Sequence, residues 1–108
     1  MKFNVELTDH FKKESKRLLK KYPSLKNELA ELFSILEKNP ELGTSLGNNI
    51  YKIRLAISSK GKGKSGGARI ITCVAISNDT VLLLSIYDKS DTENLSISEI
   101  QQILQKYI

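Results

Sequence analysis

The chain has one cysteine, one histidine and no tryptophan in 108 residues, and each shortage removes a class of chemistry. Cys73 alone cannot close an internal disulfide, and with no Cys/His cluster there is no zinc-site spacing, so a reducing cytoplasm and the absence of metal and cofactor are expected. His10 has no second imidazole to work with, which excludes catalysis by a histidine pair. It reads as surface or helix-start structure. Alternating apolar neighbours Ile71, Val74 and Ile76 make Cys73 a buried strand residue rather than a nucleophile. The longest apolar stretch, Val81 to Ile86, is far short of the ~20 residues a membrane helix needs, and Lys2 and Glu6 interrupt the start too often for a signal-peptide core. A soluble protein with no membrane partner is expected.

Most telling is an absence of one sign of charge. No acidic residue lies between Glu41 and Asp79, while Lys52, Arg54, Lys60, Lys62, Lys64 and Arg69 all do, and the chain carries a net charge of +5. Such a balance favours polyanionic partners. With 40% hydrophobic and 27% charged residues the composition is that of a globular domain, and one domain spanning residues 1–108 is expected.

The periodicities give an α+β order. Phe3, Val5 and Leu7 alternate as a short strand, and Thr8 or Asp9 can cap a helix over His10 to Tyr22 with Phe11, Ser15, Leu18, Leu19 and Tyr22 on one face. The lysines and arginine on its other side read as a solvated face. Pro23 stops this helix, and Ser24 is placed to cap a second one carrying Leu25, Leu29, Leu32, Phe33 and Leu36 until Asn39-Pro40. Tyr51 to Ile57, Ala68 to Ile76 and Thr80 to Ile86 then predict three antiparallel strands, the last two joined by a turn at Ser77-Asn78-Asp79. Ser96-Ile97-Ser98-Glu99 is a capping box opening a final helix with Ile97, Ile100, Leu104 and Tyr107 as its apolar stripe. The prediction is an antiparallel sheet of about four strands with a two-helix N-terminal hairpin and a C-terminal helix, ordered β-α-α-β-β-β-α.

Lys52 and Arg54 are two apart in a strand and leave the same face; Arg69 opens the next strand and Lys89 follows the third. Four cations from three strands can converge on one phosphate. Lys60, Lys62 and Lys64, in the glycine-rich connection, are candidates for RNA binding. That connection is not a P-loop, because it leads into a strand rather than a helix. Asp88, Asp91 and Glu93 cluster near the last helix, where charge complementarity or capping accounts for them. What remains is RNA cleavage through the substrate's own 2′-hydroxyl. Crowded cations disfavour one another's protonated form, so a lysine among them can move a proton, while arginine keeps its charge and holds the phosphate. A basic strand face that is only a passive electrostatic surface is the plain alternative.

Tyr51-Lys52-Ile53-Arg54, the Lys60 to Ile71 connection with its Gly66-Gly67-Ala68-Arg69 segment, and Leu84-Ser85-Ile86-Tyr87-Asp88-Lys89 before Asn94-Leu95 together resemble the RelE superfamily of bacterial toxin–antitoxin toxins, in its HigB-like branch. The order of elements agrees over almost the whole chain. The resemblance implies a RelE-like fold and a metal-independent endoribonuclease, an mRNA interferase that inhibits translation by cutting messenger RNA in the decoding site of the small ribosomal subunit. It also implies a cognate antitoxin, with operator DNA met only indirectly through the antitoxin complex. Under it Lys52 matches a position proposed as general base, Arg54 and Arg69 match positions that hold the scissile phosphate, and Lys89 lies near a cationic general acid. The archetype's base-stacking tyrosine in the final segment has no counterpart between Glu93 and Gln105; Tyr87 is the available substitute, unless it packs below the last helix. A ParE-like toxin, which shares the fold but inhibits DNA gyrase without a reaction of its own, is the alternative function. A degenerate member that binds only antitoxin and operator DNA is a third.

Overall fold

A computed structural model describes residues 2–61, 66–91 and 95–107. Strand β1 (Asn4–Leu7) leads into helices α1 (Asp9–Lys21) and α2 (Leu25–Lys38). Strands β2 (Thr44–Gly47), β3 (Ile50–Leu55), β4 (Ala68–Ala75) and β5 (Thr80–Asp88) follow, and helix α3 (Ile97–Tyr107) closes the order. The sheet runs β1-β5-β4-β3-β2.

Local chemistry sets the helix boundaries. Thr8 caps α1 by accepting the Phe11 amide at 3.2 Å, and Ser96 and Glu99 form the reciprocal capping box of α3, with Glu99 N–H to Ser96 Oγ at 3.1 Å and Ser96 N–H to Glu99 Oε1 at 3.2 Å. Ser24 does not cap α2. Its hydroxyl accepts the Ser59 amide at 2.9 Å and donates to Glu28 at 3.1 Å, so it ties a distant turn to the helix start instead.

Two features differ from the sequence expectation. The sheet has five strands, because Asn48 and Asn49, both at positive φ, close a tight hairpin between β2 and β3; β2 escapes a periodicity reading because Leu46 is its one apolar residue. The sheet is also mixed, with β1 pairing parallel to β5 while the other pairs are antiparallel. The two-helix segment after β1 spans the sheet and so permits the parallel return.

Helices α1 and α2 cover one face. Phe11, Leu18, Leu25, Leu29, Leu32 and Leu36 pack there on Ile53, Ile70, Val81, Leu83 and Ile86. The other face carries a smaller cluster, in which Ile50, Ile71, Leu82, Leu84 and Tyr87 meet Ile100 of α3.

Candidate functional site

Register brings the predicted cations together. Arg54 on β3 lies directly opposite Arg69 on β4, and Arg69 lies opposite Tyr87 on β5, so the three side chains form one cross-strand row on one face. Lys52, two residues before Arg54, shares that face in the next row, opposite Ile71. Because Ile71 belongs to the cluster under α3, this is the α3-facing side of the sheet.

Two local devices make the row possible. A Cβ on Gly67 would stand 2.1 Å from the Leu55 carbonyl oxygen, so only glycine lets the start of β4 approach the end of β3 and set Arg69 beside Arg54. The second device is a bulge: Ile71 pairs with Ser85 but Thr72 with Leu83, which leaves Leu84 as an extra residue in β5. Leu83 packs under the two helices and, by simple alternation, Tyr87 would follow it there. The bulge reverses the phase and delivers Tyr87 to the α3 side.

The members of the row differ in exposure. Arg54 is exposed, at the end of β3 that β2 does not cover, where it also borders a cleft of about 400 Å³ with Glu28 and Glu31. Lys52 is half-buried, and Arg69 is 3% exposed with its guanidinium donating to the Ala68 carbonyl at 3.2 Å. Tyr87 is 5% exposed, its ring set in the cluster with Leu84 and Ile100 and its hydroxyl without a hydrogen-bond partner among the described residues. Burial raises the pKa of this phenol, with the Leu95 amide and the Arg69 charge opposing the rise; that amide nevertheless makes no well-formed bond to Oη. The phenol is therefore held protonated, and its ring packs below the last helix instead of presenting a face to a base. Lys89 is half-buried just beyond β5, with its amide donating to the Gly67 carbonyl at 3.1 Å.

The structure does not bring Lys60 to this row. Its ammonium is buried on the other side of the sheet, 2.5 Å from Asp88 Oδ1 and 3.0 Å from Ser90 Oγ, while Tyr22 donates to Asp88 Oδ2 at 2.6 Å. Burial alone would raise the Asp88 pKa, yet hydrogen bonds from Lys60, Tyr22 and the Ser90 amide, with the Lys60 charge, bring it down to about 2. Lys60 is thus fully engaged as an internal cation. The short turn before it is pinned by Glu28, which accepts from the Ser58 amide at 2.7 Å and the Ser58 hydroxyl at 2.8 Å. Neither anchor is visible in a pattern of spacing, since partners 28 and 30 residues apart leave no periodic trace. Lys62 and Lys64 lie outside the described residues.

Other candidates sort simply. His10 is exposed and borders a cavity of about 610 Å³ between the start of α1 and α3. Cys73 is a free, half-buried thiol on β4 beside the α3 cluster, and burial raises its pKa, which disfavours the thiolate. Among the described residues no three His, Cys, Asp or Glu side chains gather as a metal site, and no helix is long and apolar enough to cross a membrane.

Residues 7–107 match the family model described as the RelE toxin of the RelE/RelB toxin–antitoxin system. The chain belongs to the RelE toxin family. Solved structures of this fold agree. One is a double-arginine mutant of E. coli toxin RelE in the free state, with TM-score 0.64, 14% identity and 100% of both chains covered. Another is that mutant in complex with an antitoxin RelBc peptide, with TM-score 0.62, 18% identity and coverage of 100% of this chain and 99% of that one. The α+β architecture with its helical hairpin is thus the RelE fold, carrying a sheet of five strands here.

Proposed function

We propose that this RelE-family toxin is an endoribonuclease that cuts messenger RNA on the ribosome without a metal or cofactor and so arrests translation in the cytoplasm. The observation that carries the reading is the register that aligns Lys52, Arg54 and Arg69 on one sheet face beside a protonated Tyr87. In this scheme the 2′-hydroxyl of one nucleotide attacks its own 3′-phosphorus. A 2′,3′-cyclic phosphate forms as the bond to the next nucleotide's 5′-oxygen breaks. Lys52 takes the 2′-hydroxyl proton, Arg54 and Arg69 hold the phosphate as its negative charge grows, and Lys89 or the Tyr87 hydroxyl protonates the leaving oxygen. Because Arg69 and Tyr87 are buried, contact with a phosphate requires local opening above them, and the ribosome supplies both that opening and an RNA bent for in-line attack.

The partners follow from this chemistry. A cognate antitoxin must mask the toxin, and operator DNA is reached only through the antitoxin complex. An acidic antitoxin segment suits a chain of net charge +5. The test is to map RNA cleavage in translating and in ribosome-free extracts, for the native chain and for Lys52→Ala plus Arg69→Ala. Cuts confined to translated messages and lost in the double variant are expected. Retained toxicity in that variant would overturn the reading in favour of a gyrase inhibitor.

A further inference from the structure

The helical layer and the cation row lie on opposite faces of the sheet, and Asp88 is the residue through which they meet. Its side chain, 1% exposed, turns to the helix side and accepts from three donors: Lys60 Nζ at 2.5 Å, the Tyr22 hydroxyl at 2.6 Å and the Ser90 amide at 2.9 Å. Its carbonyl accepts the Asp91 amide at 3.0 Å, and Lys60 also donates to Ser90 Oγ at 3.0 Å. The turn from Asp88 to Asp91 is thus closed by side chain and backbone together. Both side-chain donors stand on firm ground. Tyr22 directly follows α1, with the Lys21 and Lys60 ammoniums each 5.4 Å from its ring centre. Lys60 ends the short Ser58–Lys60 turn, which Glu28 and Ser24 hold to the start of α2.

We propose that Lys60, Asp88 and Tyr22 are positioning residues, a clamp that aims Lys89 at the cation row from the opposite face of the sheet; the inference rests on the ribonuclease reading above. Strand parity supplies the lever. Tyr87 and Lys89 flank Asp88, and the pairing with β4 continues past Asp88 through the Lys89 amide and the Gly67 carbonyl at 3.1 Å. With the Asp88 side chain on the helix side, both neighbours fall on the α3 side. Tyr87 is seated there by its own apolar cluster. Lys89 stands just beyond β5, so its direction is set by the turn, and the turn is set by Asp88. Two apolar side chains could fill the same space without loss of stability. A carboxylate held by three donors instead admits one arrangement, and a fixed direction is what an ammonium acting beside a scissile phosphate requires. Lys60 and Asp88 cancel one another's charge, so they act on the row by geometry and not by field.

The experiment removes the clamp while keeping stability and net charge. Lys60→Met/Asp88→Leu deletes one charge of each sign, so the chain stays at +5. Cleavage of messenger RNA on ribosomes is expected to show kcat about tenfold below native with KM unchanged, at a urea midpoint close to native. Tyr22→Phe, which deletes one donor and leaves the ion pair, lowers kcat about two- to threefold. Lys89→Ala lowers kcat more than either, and combining it with the clamp-free variant adds less than about a twofold further loss, because the clamp acts through that side chain. Amide hydrogen exchange gives a readout independent of cleavage: Lys89 and Ser90 exchange about tenfold faster in Lys60→Met/Asp88→Leu, while Leu83 and Ile86 of β5 keep their protection. Native kcat in the clamp-free variant, a change in KM alone, additive losses with Lys89→Ala, or unchanged exchange at Lys89 and Ser90 would each overturn the proposal. A native chain that cuts no RNA overturns the ribonuclease reading and this inference with it; a native chain that cuts beside an equally active clamp-free variant overturns this inference alone.

Discussion

The two faces of the sheet are closed to different degrees. On the α1/α2 side, Leu25, Leu29, Leu32 and Leu36 of a single helix are all buried, and the one buried ion pair among the described residues, Lys60 with Asp88, is completed by Tyr22 and Ser90. On the α3 side the covering helix buries only Ile100, and the sheet beneath it holds Lys52, Arg54, Arg69 and the orphan hydroxyl of Tyr87. Both sides draw on the same acid-free stretch of sequence. The difference lies in what stands beside the cations: Lys60 is set against the Asp88 carboxylate and becomes structure, whereas Arg54 and Arg69 stand opposite one another across a strand pair. Like charges directly opposite one another in a sheet repel, which sets the Arg54–Arg69 pair apart from the Lys60–Asp88 pair.

The comparison breaks most visibly at the internal ion pair. Asp88→Asn leaves the Lys60 ammonium buried without its counter-charge and is expected to cost about 3–5 kcal/mol, measured as a fall in the urea midpoint. Lys60→Met with Asp88→Leu restores most of that loss, because two apolar groups need no counter-charge. A single variant as stable as the native chain would show that the pair is not the brace inferred here.

On the opposite face the expectation reverses. Lys52→Ala removes a half-exposed side chain and changes stability by less than about 1 kcal/mol, while RNA cleavage on the ribosome falls roughly 10²- to 10³-fold. Parallel losses of cleavage and stability would erase the division of labour between the two faces.

Acid probes the same division through Asp88 alone. With its folded pKa lowered to about 2 from an ordinary 3.8, the carboxylate contributes stability that is fully present above pH 3.8 and is lost as pH falls through about 2. The contribution is about 2 kcal/mol. The native chain and Asp88→Asn, compared by urea unfolding between pH 5 and pH 2, should therefore converge toward the acid end. A gap that widens on acidification would reverse the assigned sign.

How much of this is legible in the sequence depends on the range of the interaction. The capping box of α3 and the apolar stripes of α1 and α2 are local and read directly, as is the pairing of β3, β4 and β5. Lys52 and Arg54 share a face by strand parity, which spacing within one strand suffices to predict, whereas the place of Arg69 opposite Arg54 depends on the β3–β4 register across a long connection. The phase of Tyr87 is not recoverable this way, since the extra residue at Leu84 has no marker such as glycine or proline. Nor is the fate of Lys60, which is indistinguishable in composition from its neighbours until folding sets Asp88 beside it.

Tyr87→Phe is the smallest perturbation and the sharpest test of the α3 face. The substitution deletes one oxygen that is buried without a partner, so the fold loses no hydrogen bond and sheds a desolvation penalty; stability should stay constant or rise by up to about 1 kcal/mol. Two roles for this residue then separate. If the hydroxyl protonates the leaving oxygen, Tyr87→Phe cuts cleavage by about 10²-fold or more while the protein remains as stable as before, because burial keeps the phenol in the protonated form that this step uses. If the ring serves only to seat α3, phenylalanine fills the same space against Ile100 and Leu84 and cleavage is unchanged, which would leave Lys89 as the proton donor. A gain in stability coupled to a loss of activity would mark Tyr87 as the point where the α3 face gives up stability for chemistry.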